Sequence, residues 1–184
     1  MQLSICTTGF KDWEIENIIQ WLDPWNSAVQ GLELWIGHVE KFQEKHGPLD
    51  KLAKLLETHG YRIPAVSGYT MFSKTAADIE NDLIRMKRLL DAAHQLNSPM
   101  VRTFAGHVPS KDASPEMWAE TVVALRKAAQ LADLYDVDLA IEMHYDTYAD
   151  NAESIRTLFQ DIDSPRAVLI FDGANLNADG LNPP

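Results

Sequence analysis

Short apolar segments recur along this chain at intervals of roughly 30 to 38 residues, and a helical pattern follows each one. This spacing is the length of one strand–helix unit. Because consecutive strands of such units run parallel and are joined by right-handed crossovers, the pattern predicts an α/β fold built on a parallel sheet. We place the strands at residues 2–6, 31–36, 62–67, 100–105, 137–143 and 167–172.

The segments between the strands carry helix start and stop signals. Ser114 followed by Pro115 is typical of a helix start, and Gly60 is typical of a helix end. Apolar residues recur every three or four positions, which predicts that each helix buries one face. The predicted helices cover residues 12–22, 48–58, 75–96, 115–135 and 150–160.

An open doubly wound sheet and a barrel both fit this alternation. The glycine-rich phosphate-binding motifs that often accompany an open sheet are absent from the sequence. An eight-unit barrel needs about 250 residues, whereas six strands fill this chain up to Asp172. The sequence therefore predicts a single TIM-barrel-like domain over residues 1–184, with six of the eight strand–helix units present.

Charge and composition narrow the functional classes. The formal net charge of −11 argues against a nucleic-acid surface, because phosphate binding draws on clustered Lys and Arg. Cys6 is the single cysteine, so there is no intrachain disulfide framework. We find neither a signal-peptide pattern nor an apolar run of about 18 residues, and we expect a cytoplasmic protein with no membrane partner.

Acidic side chains end two of the predicted strands. Side chains alternate across a strand, so Glu142 and His144 share one face of the fifth strand, and Asp172 has the same inward phase on the sixth. The carboxyl ends of barrel strands form the rim where TIM-barrel enzymes carry their active sites. Two carboxylates with an imidazole are typical ligands of a divalent metal. The alternative is that both acids cap the helices that follow them.

Further polar and aromatic residues fall at the same predicted rim. Glu33 and Trp35 share the inward phase of the second strand, and His38 follows them. Trp35 is a candidate wall against the apolar face of a sugar, or alternatively fills the core. A buried Glu33 needs a partner, and Arg102 on the fourth strand is a candidate for that pairing or for an anionic substrate group. His107 is a candidate substrate contact, or alternatively a solvated loop residue.

Three short motifs resemble those of a known family. They are Gly31-Leu-Glu-Leu-Trp35, Ala140-Ile-Glu-Met-His144 and Phe171-Asp-Gly-Ala-Asn175. In order and spacing they resemble the xylose-isomerase-like TIM-barrel superfamily, in particular its sugar phosphate isomerase/epimerase proteins. The resemblance spans nearly the whole chain but only about three quarters of the eight-unit fold.

The resemblance implies a divalent metal, Mn, Mg, Co or Zn, held by a Glu, an Asp, a His and a second Glu on the last four strands. The first two ligands match Glu142 and Asp172, and the other two have no counterpart because those strands are missing. Glu142 would also act as an acid/base in moving a proton through an enediolate of a sugar or sugar phosphate. Since a barrel open after six strands exposes its edges, we further expect a homo-oligomer that covers the opening.

Three alternatives remain open at this stage. The chain could be a non-catalytic, truncated family member that only binds. It could resemble the apurinic-site endonucleases that share this barrel, although Asn175 stands where those enzymes place a histidine and the net charge is −11. It could also be a doubly wound binding protein with six strands.

Overall fold

Strands and helices alternate along residues 2–178, the part of the chain that the computed structural model describes. The six strands are β1 (Leu3–Cys6), β2 (Val29–Trp35), β3 (Val66–Ser67), β4 (Met100–Thr103), β5 (Asp138–Glu142) and β6 (Ala167–Ile170). The seven helices in this part are α1 (Ile15–Leu22), α2 (Ile36–His46), α3 (Asp50–Thr58), α4 (Ala76–Gln95), α5 (Pro115–Tyr135), α6 (Ala152–Ile162) and α7 (Gly173–Ala178).

The predicted element order is confirmed, and the main differences concern bounds and two helices. The predicted helix 115–135 has the bounds of α5, whereas β3 occupies only the end of the predicted strand 62–67. The sequence analysis missed α2 and α7. Helix α2 follows β2 directly, its Trp35 N-cap makes no side-chain capping bond, and it buries only His38, Val39 and Phe42. Its apolar stripe is too short to register as a period.

Residues of the chain cluster into two compact units. Unit 1 comprises Met1–Gly68 and Leu89–Val101, and unit 2 comprises Tyr69–Arg88 and Arg102–Pro184. In unit 1, β1 pairs in parallel with β2, and β2 with β3. In unit 2, β5 pairs in parallel with β6. Pairing of strands that are consecutive in the chain is the arrangement that strand–helix units predict.

Unit 1 buries aliphatic side chains from both its strands and its helices. Leu32, Leu34 and Val66 are fully buried on the strands. Helix α1 contributes an i, i+3, i+4, i+7 stripe and α3 contributes an i, i+4 pair, the spacing that places side chains on one face. The helical members are Ile15, Ile18, Ile19, Leu22, Leu52 and Leu56.

Unit 2 is built around β5 and the well-capped helices that flank it. Leu139, Ala140 and Ile141 are fully buried. Ser114 Oγ accepts from the Met117 N–H at 3.2 Å and so caps the start of α5. Asn151 starts α6 in the same way, as part of a capping box. These caps fix where the loops after β4 and β5 end.

The outward side chains of β6 stay accessible. Leu169 in β6 is 40% exposed, and Phe171, just after the strand, is 62% exposed. Apolar side chains on a parallel strand are normally covered by a helix. No helix of the described residues is long and apolar enough to cross a membrane.

Gly106 fixes the loop after β4 against the loop after β5. Its φ is +82°, and an added Cβ would lie 2.4 Å from the Tyr148 ring. Tyr148 is fully buried, stacks on Trp118 at 5.3 Å, and donates its N–H to the Ala105 carbonyl at 2.6 Å. Both the backbone conformation and the close approach therefore require glycine at this position.

We expect Gly106→Ala to lower the free energy of unfolding by about 2–4 kcal/mol, because left-handed strain and a clash with a buried ring add together. Gly60→Ala is the matched control. Gly60 has a similar φ of +79° but nothing within 4 Å of the added Cβ, so only the backbone cost of about 1 kcal/mol should appear. Urea unfolding followed by circular dichroism measures both, and equal losses in the two variants would contradict the close-approach argument.

Candidate functional site

An ion pair joins β4 and β5 in unit 2. Arg102 Nη1 donates to Glu142 Oε2, and the two side chains are only 13% and 8% exposed. A carboxylate this buried would be costly alone, so the guanidinium is the partner that makes its ionised form tenable. Glu142 is thus held in one orientation at the end of a fully buried strand.

Three rings lie side by side next to this pair, and we call them the aromatic shelf: Tyr69, Phe104 and His144. Tyr69 stacks on Phe104 at 6.0 Å and 15°, and Phe104 meets His144 edge-on at 5.2 Å. The Arg102 guanidinium carbon lies 5.6 Å from the Phe104 ring centroid, within cation–π range. Phe104 is buried at the centre of the shelf, whereas Tyr69 is 41% exposed, so the accessible part of the shelf is the Tyr69 ring with the partly buried His144.

The tautomer of His144 follows from its contacts. Its Nδ1 lies 2.6 Å from the Tyr145 carbonyl oxygen, which can only accept, so Nδ1 carries the hydrogen. In the neutral ring Nε2 then holds a lone pair and can take up a proton. The tight turn after β5 holds the backbone of His144, since its N–H donates to Ala149 and its carbonyl accepts from Thr147 Oγ1.

Asp172 follows β6 and caps α7. Its Oδ1 accepts from the N–H groups of Ala174 at 2.8 Å and Asn175 at 3.3 Å, and Oδ2 accepts from Asn175 Nδ2 at 2.9 Å. The amide of Asn175 also donates to the Met143 carbonyl at 3.0 Å, which ties this cap to the end of β5. The capping role that the sequence left open for Asp172 is therefore present, and it orients the carboxylate.

Glu142 and Asp172 lie at the ends of neighbouring strands. Glu142 is the register partner of Ile170, and Asp172 lies two residues beyond Ile170, just after β6 ends. No group of three or more His, Cys, Asp or Glu side chains able to hold a metal occurs within the described residues. The two oxygen donors suit a divalent ion chemically, but they supply only half of a four-ligand set.

Unit 1 holds three further candidate residues from the sequence, Glu33, Trp35 and His38. Glu33 Oε1 accepts from the Cys6 thiol at 3.3 Å. The Trp35 ring meets His38 edge-on at 5.3 Å, with Lys11 Nζ 5.5 Å from its centroid. Trp35 therefore has partners on two sides within its own unit.

His38 binds the segment that follows β1 through both of its ring nitrogens. It is 1% exposed, and its ring nitrogens lie 3.1 Å from Thr7 Oγ1 and 3.0 Å from the Phe10 carbonyl. Since a carbonyl only accepts, Nε2 donates to Phe10 and Nδ1 accepts from Thr7. With both nitrogens used by the protein, the geometry supports a positioning role for His38 more than a substrate contact.

His107 in unit 2 is half-buried and lies 2.9 Å from Ser73 Oγ through Nδ1. Two members of the site were missed in the sequence. Phe104 shares the strand phase of Arg102 and could have been found by extending the alternation. Tyr69 lies in a loop, where its carbonyl accepts from Arg85 Nη1 at 2.9 Å, and no local sequence pattern marks that position.

Comparison with known families and curated proteins gives a consistent result. The family model described as xylose isomerase-like TIM barrel matches residues 27–184. A curated 3-dehydroshikimate dehydratase of Bacillus anthracis is 25% identical over 186 residues, which cover all of this chain and 65% of that protein. The chain therefore spans slightly less than two thirds of the curated relative.

Solved structures show the same fold. The "probable 3-DHS dehydratase AsbF involved in the petrobactin synthesis" of Bacillus anthracis aligns with a TM-score of 0.87 and 24% identity, over 98% of this chain and 66% of that one. The IolI protein with a bound zinc atom aligns at 0.80 and 17% identity, over 99% and 66%. A Mycobacterium smegmatis xylose isomerase-like TIM barrel protein in complex with magnesium aligns at 0.72 and 17%, over 95% and 65%.

The contacts of His38 predict a pH-dependent contribution to stability. Burial is the main cause that lowers the pKa of His38 below its ordinary value of 6.5, and nearby Lys41 acts in the same direction. The unfolded chain thus takes up a proton more readily than the folded chain. The stability is present above the unfolded pKa and is lost as pH falls through the folded pKa.

We therefore expect the stability advantage of the wild type over His38→Gln to shrink as pH falls from about 7.5 to about 5.5. Urea unfolding across this range measures it. Subtracting the variant removes the contribution of all other titrating groups, so a pH-independent difference would contradict the assignment.

Proposed function

This chain belongs to the xylose isomerase-like TIM barrel family, and we propose that it acts as a metal-dependent dehydratase. The proposed substrate is a ring acid that resembles 3-dehydroshikimate. Such a substrate carries a carboxylate, a ring carbonyl and ring hydroxyls. The observation that carries the proposal is the buried Arg102–Glu142 pair beside the aromatic shelf. A cation, an exposed aromatic ring and a histidine base are together in unit 2.

Arg102 suits the substrate carboxylate. A guanidinium has five N–H donors in a planar fork, more than the Glu142 carboxylate alone can use. Its position 5.6 Å from the Phe104 centroid would set the carboxylate at the edge of the shelf. The planar part of the ring would then lie against the exposed Tyr69 ring, which would exclude water from the reacting carbons.

His144 suits the proton acceptor. Its Nδ1 hydrogen is committed to the Tyr145 carbonyl, so Nε2 would take the proton from the carbon beside the carbonyl. The electron pair left behind moves onto the carbonyl oxygen as an enolate. The carbonyl then re-forms as the hydroxyl on the following carbon leaves with a proton as water, and the ring gains a double bond. A further ring proton moves to the carbonyl oxygen, which becomes a hydroxyl and makes the ring aromatic.

Glu142 and Asp172 would hold the divalent metal, together with ligands beyond the described residues. When bound, the metal supplies a Lewis acid that stabilises charge on the carbonyl oxygen. The zinc and magnesium held by the two related structures support this assignment. The metal identity, Mn, Mg, Co or Zn, stays a prediction from the sequence.

A second candidate is the sugar or sugar-phosphate isomerase or epimerase predicted from the sequence. It would share the proton abstraction but return the proton through an enediolate, with Glu142 as acid/base. The Arg102–Glu142 pair has no net charge and therefore suits an uncharged sugar, and this observation supports the isomerase candidate. The two candidates differ in whether water is lost.

The predicted homo-oligomer that covers the open barrel belongs to the same proposal. The exposed Leu169 and Phe171 on β6 support a covering segment at that face. Small-molecule carbohydrate-like substrates, rather than nucleic acid, fit both candidates and the net charge of −11.

We expect the Mn²⁺-loaded chain to convert 3-dehydroshikimate to an aromatic dihydroxy acid. The rise in ultraviolet absorbance of the aromatic product measures this reaction.

His144→Asn should lower kcat about 100-fold or more with little change in KM, because a general base typically contributes that much. Arg102→Lys should mainly raise KM, about 10-fold or more, because the fork geometry is lost while the charge remains. Asp146→Asn, two residues from His144 in the same exposed turn, is the matched control and should keep full activity.

Calorimetric titration with Mn²⁺ provides a readout that does not depend on turnover. Glu142→Gln and Asp172→Asn should each weaken binding about 10-fold or more, because each removes an anionic ligand. Unchanged Mn²⁺ affinity would remove both residues from the proposed site.

If ketose substrates exchange a proton for deuterium in D₂O while 3-dehydroshikimate stays intact, the isomerase candidate replaces the dehydratase.

A further inference from the structure

An apolar groove runs between α4 and α5 on the outside of unit 2, away from the residues of the proposed active site. Its volume is about 450 Å³. Six apolar residues and three charged residues line what we call the α4–α5 groove: Ala76, Ile79, Leu83, Ala119, Val123, Ala124, Glu80, Glu120 and Lys127. The small alanines allow another backbone to approach closely, and Val123 is 48% exposed.

The groove lies on the surface, and only its floor at Ala124, which is 2% exposed, belongs to the core. The opposite face of α5 is buried, with Leu125 and Ala128 fully inaccessible. Ile84 on α4 is also exposed, at 51%. It shares the exposed face of that helix with Glu80 and Lys87. Apolar side chains in a groove between two helices are a surface that receives another helix.

The charges on α5 indicate which helix would bind in the groove. Glu120 and Lys127 are two helical turns apart on one face, about 10.5 Å along the axis. The point midway between them falls between Val123 and Ala124, which line the groove. If a second α5 lies antiparallel across this midpoint, each Glu120 faces the Lys127 of the other chain. An isologous interface requires this kind of self-complementary pattern about its two-fold axis.

We propose that the α4–α5 groove is the contact surface of a homodimer, in which α5 of a second copy packs antiparallel over Val123 and Ala124. In this arrangement residues 115–132 of the two α5 helices overlap over about 27 Å. With α4 alongside, this overlap offers an area on the scale of the roughly 800 Å² per partner found in stable interfaces. The surface is distinct from the outward face of β6. Two outer faces can therefore be tested separately.

Sedimentation equilibrium of the purified chain tests the surface. To separate this surface from the face of β6, the test uses a Phe171→Ser background, which removes the exposed aromatic side chain of that face. In this background we expect a dimer with a Kd below about 10 µM. Adding Val123→Glu should give monomers, because it buries a charge at the two-fold axis. Leu134→Glu is the matched control, since Leu134 is 80% exposed on the same helix but outside the groove. It should stay dimeric, and circular dichroism checks that both variants are folded.

A charge exchange tests the orientation. Glu120→Lys alone and Lys127→Glu alone should each weaken the dimer about 10-fold, because like charges then face each other, and the double exchange should restore it to within about 2-fold. If net charge alone governed association, Glu120→Lys would instead strengthen the dimer by making an acidic chain less negative.

Three outcomes would overturn the proposal. One is a Phe171→Ser chain that stays monomeric at about 100 µM, well above the expected Kd. Another is a Val123→Glu variant that remains dimeric in the Phe171→Ser background, because the dimer would then use a different surface. The third is a double charge exchange that is no better than the single ones.

Discussion

The buried pair of Arg102 and Glu142 is the interaction on which the candidate site depends. Glu142 ends a strand whose preceding residues are fully buried, so its carboxylate enters a region of low dielectric. A carboxylate in such a region needs a partner of opposite charge, and Arg102 is that partner. Arg102 also orients the carboxylate, and the same guanidinium lies beside Phe104 and so joins the charged and aromatic parts of the site.

The predictability of the fold followed the strength of local signals. The α5 bounds were predictable because Ser114 and Pro115 mark its start and apolar residues recur at every turn. Strand alternation predicts one phase for Glu142 and Asp172, and this stays a prediction because β6 ends at Ile170 and Asp172 caps α7 beyond it. Helix α2 was missed because it has no side-chain cap and a short apolar stripe, and Tyr69 was missed because its position depends on contacts made far along the chain.

The histidines show why residue type alone does not decide a role. His38 and His144 both follow apolar strands and both have a ring nitrogen on a backbone carbonyl. In His38 the second nitrogen meets the Thr7 hydroxyl within a closed packing environment, which favours a structural role. In His144 the described ring-nitrogen contacts engage only Nδ1, and the side chain is only partly buried, so a substrate could reach Nε2. The difference lies in the second contact, which no sequence pattern reveals.

Formal charge connects the metal and the substrate in the proposed function. Glu142, Asp172 and Arg102 together carry one negative charge when all are ionised, and the whole chain carries −11. An anionic ring acid would therefore meet net repulsion at these residues. A divalent cation on the two carboxylates would leave one positive charge, which a single substrate carboxylate neutralises. Metal and acid would then bind with positive coupling, and this coupling is reciprocal. An uncharged sugar would lack that coupling, so the interdependence of metal and substrate affinity is itself a physical difference between the dehydratase and the isomerase.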